Sequence, residues 1–379
     1  MRDPDAHWVS PEAAAPAPRA DAAADLPLRA LIWQRFRRRP LAYWAGVYLA
    51  AIYLALPFIG FFAPYAPNER HETRIFAAPS PLALFHDGRF VGPHTYATRE
   101  VFNLDTFRMD TEADRSRPLP LRFLATCGRP HAILGIFESR FRVVCPPADG
   151  HFFLLGADRL GRDVHSRILW AAQLSLTVGL IGVTVSFAIG LVLGGIAGYF
   201  GGMVDAAVSR TIEIVRSLPE LPIWLALSAA IPANWGPVSV FLIISVILGL
   251  LDWPGLARAI RSKFLSLREE DYVRAAELMG ASPRRIIAAH MMPNFMSHIV
   301  ASAALAVPAM ILGETALSFL GLGLRAPAVS WGLMLNDALD LTVVEIYPWL
   351  LWPLAPVMMV VLAFSFLGDG LRDALDPYS

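Results

Sequence analysis

Long runs of uncharged residues restrict the fold of this chain more than any other feature. Residues 41–63, 171–200 and 221–251 contain no Asp, Glu, Lys or Arg. A helix of about 20 such residues crosses the apolar core of a bilayer. Of the 379 residues, 55% are hydrophobic and 17% are charged. The sequence therefore predicts an all-α polytopic membrane protein.

Turn signals within the apolar runs set the expected number of spans. The run from 221 to 251 is too long for one helix, and "IPANWGP" (231–237) interrupts it with two prolines and a glycine. Its first part must extend back through "RTIEIVRSLPE" (210–220), with Pro219 and Pro222 as kink points. We therefore expect six transmembrane helices, at 41–63, 171–200, a kinked segment ending near 231, 238–253, 298–320 and 346–368.

The arginine distribution orients these spans. One face of the alternating topology receives almost all basic residues of the short loops, whereas the other receives only Arg325. By the positive-inside rule the basic face is cytoplasmic, so both termini are inside and residues 64–170 are extracytoplasmic. The expected parts are a disordered tail (1–30), the first span with its basic flank (31–63), an insert of mixed or irregular structure (64–170), a five-helix core (171–370) with a cytoplasmic loop (255–295), and a tail (371–379).

Both cysteines, Cys127 and Cys145, fall in the expected insert. In an oxidising compartment they would form one disulfide, and two unpaired thiols are the alternative. Neither has a second Cys or His at ligand spacing, so we expect no metal site there. The patch "FRVVC" (141–145) is typical of a strand.

Sequence motifs argue against an enzyme. Lys263 is the only lysine, and its neighbours Ser262 and Phe264 do not fit the Gly-Lys-Ser/Thr of a phosphate-binding loop. The chain also lacks Gly-x-Ser-x-Gly and His-Glu-x-x-His. We therefore expect no catalytic residue, metal or cofactor in this chain.

A polar segment, "RAAELMGASPRRIIAAHMMPN" (274–294), lies in the longest loop of the basic face. Gly280 is expected to end a first helix, and Ser282 to cap a second one with Pro283 at its first position. Ile286, His290 and Pro293 then share one face. The pattern predicts a helical hairpin whose apolar face needs a partner outside this chain.

This hairpin resembles the cytoplasmic EAA loop of permease subunits in ATP-binding cassette (ABC) importers, whose coupling helix sits in a groove of the ATPase. The matching positions, which the resemblance implies as the ATPase-coupling residues together with Ser282, are Ala275, Ala276, Gly280, Ile286, His290, Pro293 and Asn294. Arg274 stands where the family has the acidic residue that names the motif, so an ionic contact there is in question.

Three other segments resemble the C-type permeases of dipeptide and oligopeptide importers: "LGADRLGRDVHSRILWAAQLSL" (155–176), "GETALSFLGLGLRAPAVSWGLML" (313–335) and "FSFLGDGLRDALDP" (364–377). The resemblance implies the type I importer fold, in the bacterial inner membrane. It implies a subunit that forms half of a peptide pathway and couples through residues 271–294. The implied partners are a homologous permease, two ATPase subunits that bind ATP and Mg, and an extracytoplasmic binding protein.

Two acidic residues, Glu220 and Glu314, fall within or beside expected spans, where an unpaired charge costs about 3 kcal/mol or more. Glu314 either lies near the substrate path or makes a structural hydrogen bond, and Glu220 either lines a cavity or marks a kink. A rival interpretation is an ion-coupled secondary transporter that uses both as proton carriers. Asp158, Arg162 and Asp163 either bind a ligand at the outer mouth or form a charged cap.

Overall fold

The computed structural model describes residues 28–103, 108–133, 136–148, 150–232 and 234–375. The expected N-terminal tail (1–30) therefore lies almost entirely outside the described residues, whereas residues 371–375 of the expected C-terminal tail are helical. Within them, five helices are long and apolar enough to cross a membrane: Pro40–Phe62, Val164–Phe200, Pro237–Leu267, Pro283–Phe319 and Pro348–Leu375. The predicted membrane-spanning, largely helical architecture is confirmed, but the count of long spans is five rather than six.

The helices and strands have the following bounds. The helices are α1 (Leu28–Arg37), α2 (Pro40–Ala55), α3 (Ile59–Phe62), α4 (Val164–Phe200), α5 (Gly202–Ser217), α6 (Glu220–Ala229), α7 (Pro237–Leu267), α8 (Asp271–Leu278), α9 (Pro283–Arg285), α10 (Met292–Phe319), α11 (Trp331–Asn336), α12 (Leu341–Ile346) and α13 (Leu354–Leu375). The strands are β1 (Ala83–His86), β2 (Arg89–Asn103), β3 (Arg108–Pro120), β4 (Arg122–Ile133) and β5 (Phe137–Cys145).

Glycines bring α4 and α7 together at the centre of the bundle. A Cβ atom added to Gly194 would lie 2.5 Å from the carbonyl oxygen of Ala257, and one on Gly198 would lie 2.5 Å from Phe264 Cβ. Small residues permit this close backbone approach, which is the expected use of glycines at four-residue spacing. Gly182 of α4 lies beside Gly249 of α7, and Gly198, further along α4, lies beside Phe264, further along α7. Residue numbers therefore increase in the same direction on both helices, so α4 and α7 run parallel.

Because α4 and α7 are parallel, the chain between them must return along the bundle, and it does so in two pieces. We expected one kinked span here; the structure instead has the separate helices α5 and α6, interrupted at Leu218 and Pro219. Pro219 has no N–H to donate and restricts the residue before it to extended backbone. Leu218 indeed has φ −89° and ψ 138°. The ten residues of α6 are too few to span a bilayer alone.

The region between α3 and α4 contains two antiparallel sheets, β1–β2–β3 and β4–β5. The strand expected at 141–145 is the end of β5. A disulfide joins Cys127 of β4 to Cys145 of β5. This insert contacts the bundle where the ring of His131 lies against Gly60. The helix α4 begins at Val164, so 164–170 belong to the span rather than to the insert.

Candidate functional site

The first arm of the hairpin is α8, and it ends where the sequence indicates. Met279 closes the helix, and Gly280 follows with φ +81°, a left-handed conformation that suits glycine. The amide of Ala281 donates to the carbonyl of Ala276 at 3.0 Å, which closes the turn. The hydroxyl of Ser282 then accepts a hydrogen bond from the amide of Arg285.

The second arm differs from the expectation of a separate short helix. Pro283 starts a helix that passes through a π-helical segment, Ile286–Met291, and continues without interruption into α10. The whole helix from Pro283 to Phe319 has 37 residues. The second arm is therefore the first turns of a membrane span. A displacement of the hairpin tip acts directly on that span, since no loop separates them.

Contrary to the sequence interpretation, the inner face of the hairpin has a partner within this chain. Val273, Ala276 and Ile286 are buried in a cluster with Ile260 and Phe264 of α7. Burial of the ten residues of this cluster stabilises the fold, by about 25 cal/mol per Å² of apolar surface removed from water. The hairpin is therefore packed against the end of α7 rather than held only at its two ends.

The apolar surface that stays exposed is at the tip. Leu278 is 90% exposed and Met279 is 81% exposed. This exposure shows that both side chains project away from the packed face that contains Val273 and Ala276. Large exposed apolar side chains next to each other mark a site of protein contact more often than isolated ones do.

Polar contacts hold the two arms in register. The side-chain amide of Asn294 donates to Tyr272 Oη at 2.8 Å and to the carbonyl of His290 at 3.1 Å. Tyr272 lies on the first arm and Asn294 on the second, so this contact fixes the angle between them. Tyr199, at the end of α4, donates to Glu277 at 3.0 Å.

The atypical Arg274 makes an ionic contact of its own. Its guanidinium pairs with Glu269, just before the first arm, and lowers the pKa of that carboxyl. Both side chains are more than half exposed, so this pair contributes little to stability. Of the other expected coupling residues, Ala275 and Pro293 are exposed and His290 is partly exposed.

Glu314 is fully buried and lies among hydroxyl groups. Ser318 donates to its Oε1 atom at 2.7 Å, and Ser175 donates to its Oε2 atom at 3.2 Å. The same two hydroxyls accept the amides of Leu324 and Trp331, at 3.0 and 3.2 Å. Glu314 thus organises the segment after α10 that folds back against the bundle. This geometry fits the structural alternative.

Glu220 lies at the first position of α6 and is exposed. It is close enough to Asp252 of α7 for the two carboxyl groups to interact electrostatically. Ser186 of α4 hydrogen-bonds to Asp252 at 3.5 Å. Asp252 was not singled out in the sequence, although it is the only charged residue in a long apolar helix segment and that signal could have identified it.

The charged residues before α4 form a largely buried network that is larger than the sequence indicated. Asp158 accepts from Arg162 at 2.8 Å and also pairs with Arg167. Asp337, after α11, pairs with Arg159 at 2.8 Å and lies 4.0 Å from Arg167. The network joins the start of α4 to the segment between α10 and α13, as a charged cap would. Asp163 instead caps α4, since its carboxylate accepts from the Ser166 amide at 2.8 Å.

The chain matches two family models. One, described as "Binding-protein-dependent transport system inner membrane component", covers residues 190–378. The other, described as "N-terminal TM domain of oligopeptide transport permease C", covers residues 28–79. The two matches therefore lie on either side of most of the insert.

Curated relatives match more than half of the chain. The dipeptide transport system permease protein DppC of Bacillus subtilis (strain 168) is 39% identical over 255 residues, which are 65% of this chain and 77% of that protein. The oligopeptide transport system permease protein OppC of Haemophilus influenzae is 40% identical over 233 residues, 61% of this chain and 72% of that protein. A solved structure of the MetNI methionine ABC transporter in an inward-facing conformation aligns with a TM-score of 0.42 and 19% identity, over 55% of this chain and 96% of that one.

Proposed function

Because the chain belongs to the family of binding-protein-dependent transport system inner membrane components, we propose that it carries peptides as one of two permease subunits driven by separate ATPases. As a member of this family the chain is a transmembrane subunit of an ABC importer and not itself an enzyme. The ion-coupled alternative, in which Glu220 and Glu314 carry protons, has no support from the relatives.

The observation that carries the coupling proposal is the exposed tip of the hairpin. Leu278 and Met279 present bare apolar surface, while the face behind them is packed on α7. A helix with one face fixed to its own bundle and an apolar tip left free suits insertion into a groove on a partner. The proposed coupling segment is residues 271–294, with Ala275, Gly280 and Ser282 at or beside the tip.

Force applied at this tip has a short path into the membrane. The second arm is continuous with α10, and Ile286 of this arm is buried in one cluster with Phe264 of α7. We infer that closure of two ATPase subunits, which bind ATP and Mg, tilts α10 relative to α7 and α4. Rigid-body motion of this kind needs stiff packed elements. The helices α4 and α7, which pack closely through their glycines, form one such element.

The remaining partners and the orientation follow from the same proposal. A homologous permease would complete the pathway, and an extracytoplasmic binding protein would deliver the peptide. The start of α2 and the end of α13 lie together, since Arg39 pairs with Asp373 at 3.1 Å. We propose that this end, which also carries the hairpin, faces the cytoplasm of a bacterium, and that the insert between α3 and α4 faces outside.

Co-purification tests the coupling site. Leu278→Asp together with Met279→Asp should leave the protein in the membrane but strip the ATPase subunits from it, because charges replace the apolar contact. Leu341→Asp is the matched control, because Leu341 is 81% exposed but lies on α12, away from the hairpin. Retention of the ATPases and of peptide uptake by the tip variant would refute the coupling site.

A further inference from the structure

A small cavity lies where the two irregular parts of the bundle meet. It has a volume of about 150 Å³ and is lined by the end of α6, the turn before α7 and the segment 322–327 after α10. Asn68 of the insert donates to the carbonyl of Pro327 at 2.8 Å, so the cavity lies at the insert end of the bundle. Irregular backbone at membrane depth persists where it lines a cavity or is buried in protein.

The cavity has one charged wall residue, Arg325. Among the described residues no carboxylate lies within ion-pair distance of its guanidinium. Three arginines near the start of α4 behave differently, since Arg159, Arg162 and Arg167 each pair with an aspartate. An unpaired guanidinium beside a cavity offers two parallel N–H donors to an anion.

A second, independent feature of the same cavity is Ser228. Its side chain is 1% exposed, and its Oγ atom has no hydrogen-bond partner within the described part of the chain. A serine in a helix usually bonds back to the carbonyl four residues earlier. A buried hydroxyl without a partner costs about 1–3 kcal/mol, a loss that a bound acceptor would remove.

The remaining walls are apolar and include Trp235, Pro237 and Val240. A cavity of about 150 Å³ holds a group the size of benzene, so a whole peptide does not fit. One terminal group with part of one side chain does fit. The wall chemistry therefore combines a cation, a hydroxyl donor and an apolar surface, which together match the end of a peptide that carries its free carboxylate.

We propose that this cavity binds the C-terminal carboxylate of a peptide in transit, with Arg325 and Ser228 as its donors. The inference rests on the proposed peptide transport and adds a site that selects free acids. Contact with the terminal group alone would leave the rest of the peptide free to vary in sequence.

Uptake by the assembled transporter in proteoliposomes tests this site. The probe is a pool of synthetic tripeptides, each supplied as the free acid and as the C-terminal amide, with depletion read by mass spectrometry. The binding protein is identical in every sample. A change in the acid-to-amide ratio between permease variants therefore reports the permease alone.

Arg325→Gln should lower uptake of the free acids by about tenfold and leave the amides unchanged, since only the acids lose a charge-assisted contact. Ser228→Ala should reduce the same ratio by a smaller factor, and Arg325→Lys should restore part of it. Arg122→Gln, which removes an exposed cation from β4, is the matched control and should behave as wild type.

One result would overturn the site: an acid-to-amide ratio in Arg325→Gln equal to that of wild type, whether or not total uptake falls. A wild-type transporter that takes up no peptide would instead overturn the proposed function, and the site with it. If wild type takes up peptides but the variants have the same acid-to-amide ratio as wild type, the site is refuted and the proposed function stands.

Discussion

Ser175 Oγ donates a hydrogen bond of 3.2 Å to Glu314 Oε2 and so joins α4 to α10 inside the bundle. Ser318 supplies the second contact, at 2.7 Å to Oε1. Both hydroxyls also accept a backbone amide from the segment that follows α10. One buried carboxyl group therefore fixes two helices and the returning segment together. Its removal would leave two hydroxyls without their acceptor.

Substitution of Glu314 separates the structural role from proton transport. Glu314→Gln keeps an acceptor oxygen in place, so we expect a folded protein that retains most of its uptake. Glu314→Ala should destabilise the protein by about 1–3 kcal/mol, since buried hydroxyls lose their partner. Thermal unfolding in detergent and uptake in vesicles measure the two effects. Complete loss of uptake in a stable Glu314→Gln protein would favour the ion-coupled mechanism instead.

Gly280 allows a test of the hairpin turn. Nothing lies within 4 Å of a Cβ atom built on it, so any effect of substitution comes from its φ of +81° rather than from a clash. Gly280→Val should cost about 1–2 kcal/mol locally and reduce ATPase co-purification, because a β-branched residue resists this conformation.

Two comparison variants sharpen the hairpin test. Gly280→Asn should retain more of the ATPase, since asparagine tolerates the left-handed region. Gly255→Val is the control, because Gly255 lies in regular helix with only a 3.9 Å contact to Arg216. If Gly280→Val co-purified with the ATPase as well as Gly255→Val, the turn would have no role in docking.

Neighbouring glycines on α4 provide a matched pair for helix packing. A Cβ atom on Gly194 would lie 2.5 Å from a carbonyl oxygen of α7, whereas one on Gly195 would have ordinary contacts of 3.5 Å or more. Gly194→Ala should therefore destabilise the bundle by about 1–3 kcal/mol, as overpacking does, and Gly195→Ala should not. Unfolding temperatures of the two purified variants measure this. Equal temperatures would show that α4 and α7 can separate without cost.

The local parts of the fold could be predicted from the sequence. The caps at Gly280 and Ser282 depend on a few adjacent residues, and the glycine stripe depends on spacing along one helix. The resemblance to peptide-importer permeases, based on such motifs, is confirmed by the family models and relatives.

Long-range contacts could not be predicted in the same way. The burial of Val273 and Ile286 against Phe264 depends on how α7 and the hairpin meet, which no periodicity encodes. Arg167 lies within ion-pair distance of Asp337, which is 170 positions away in the sequence. The break between α5 and α6 was visible as two prolines, but whether they kink or end a helix depends on the packing around them.

The disulfide gives a prediction about the insert. Cys127 and Cys145 are 18 residues apart, and a crosslink closing a loop of this length stabilises a fold by about 3 kcal/mol in the chain-entropy model. Replacing both cysteines by serine should make β4 and β5 more sensitive to protease while the bundle stays intact. Mass spectrometry of exported protein without reductant should find the two peptides linked. Free thiols in correctly exported protein would contradict the pairing.

Asp163 gives a pH dependence with a definite sign. Burial raises its pKa to about 7, against opposing hydrogen bonds from Ser166, and the side chain is 2% exposed. In the unfolded chain the same carboxyl has a pKa of about 3.9. Between about pH 4 and pH 7 the unfolded chain therefore binds fewer protons than the folded protein, so the folded state loses stability as the pH rises.

Asp163→Asn keeps an acceptor for the Ser166 amide and removes the titration. We expect wild-type unfolding temperature to fall from pH 5 to pH 8 by more than that of the variant. Glu72→Gln is the control, because that side chain is exposed in the insert. Parallel pH profiles for wild type and Asp163→Asn would mean that Asp163 is ionised throughout this range, in which case the cap would hold a buried charge rather than a neutral acid.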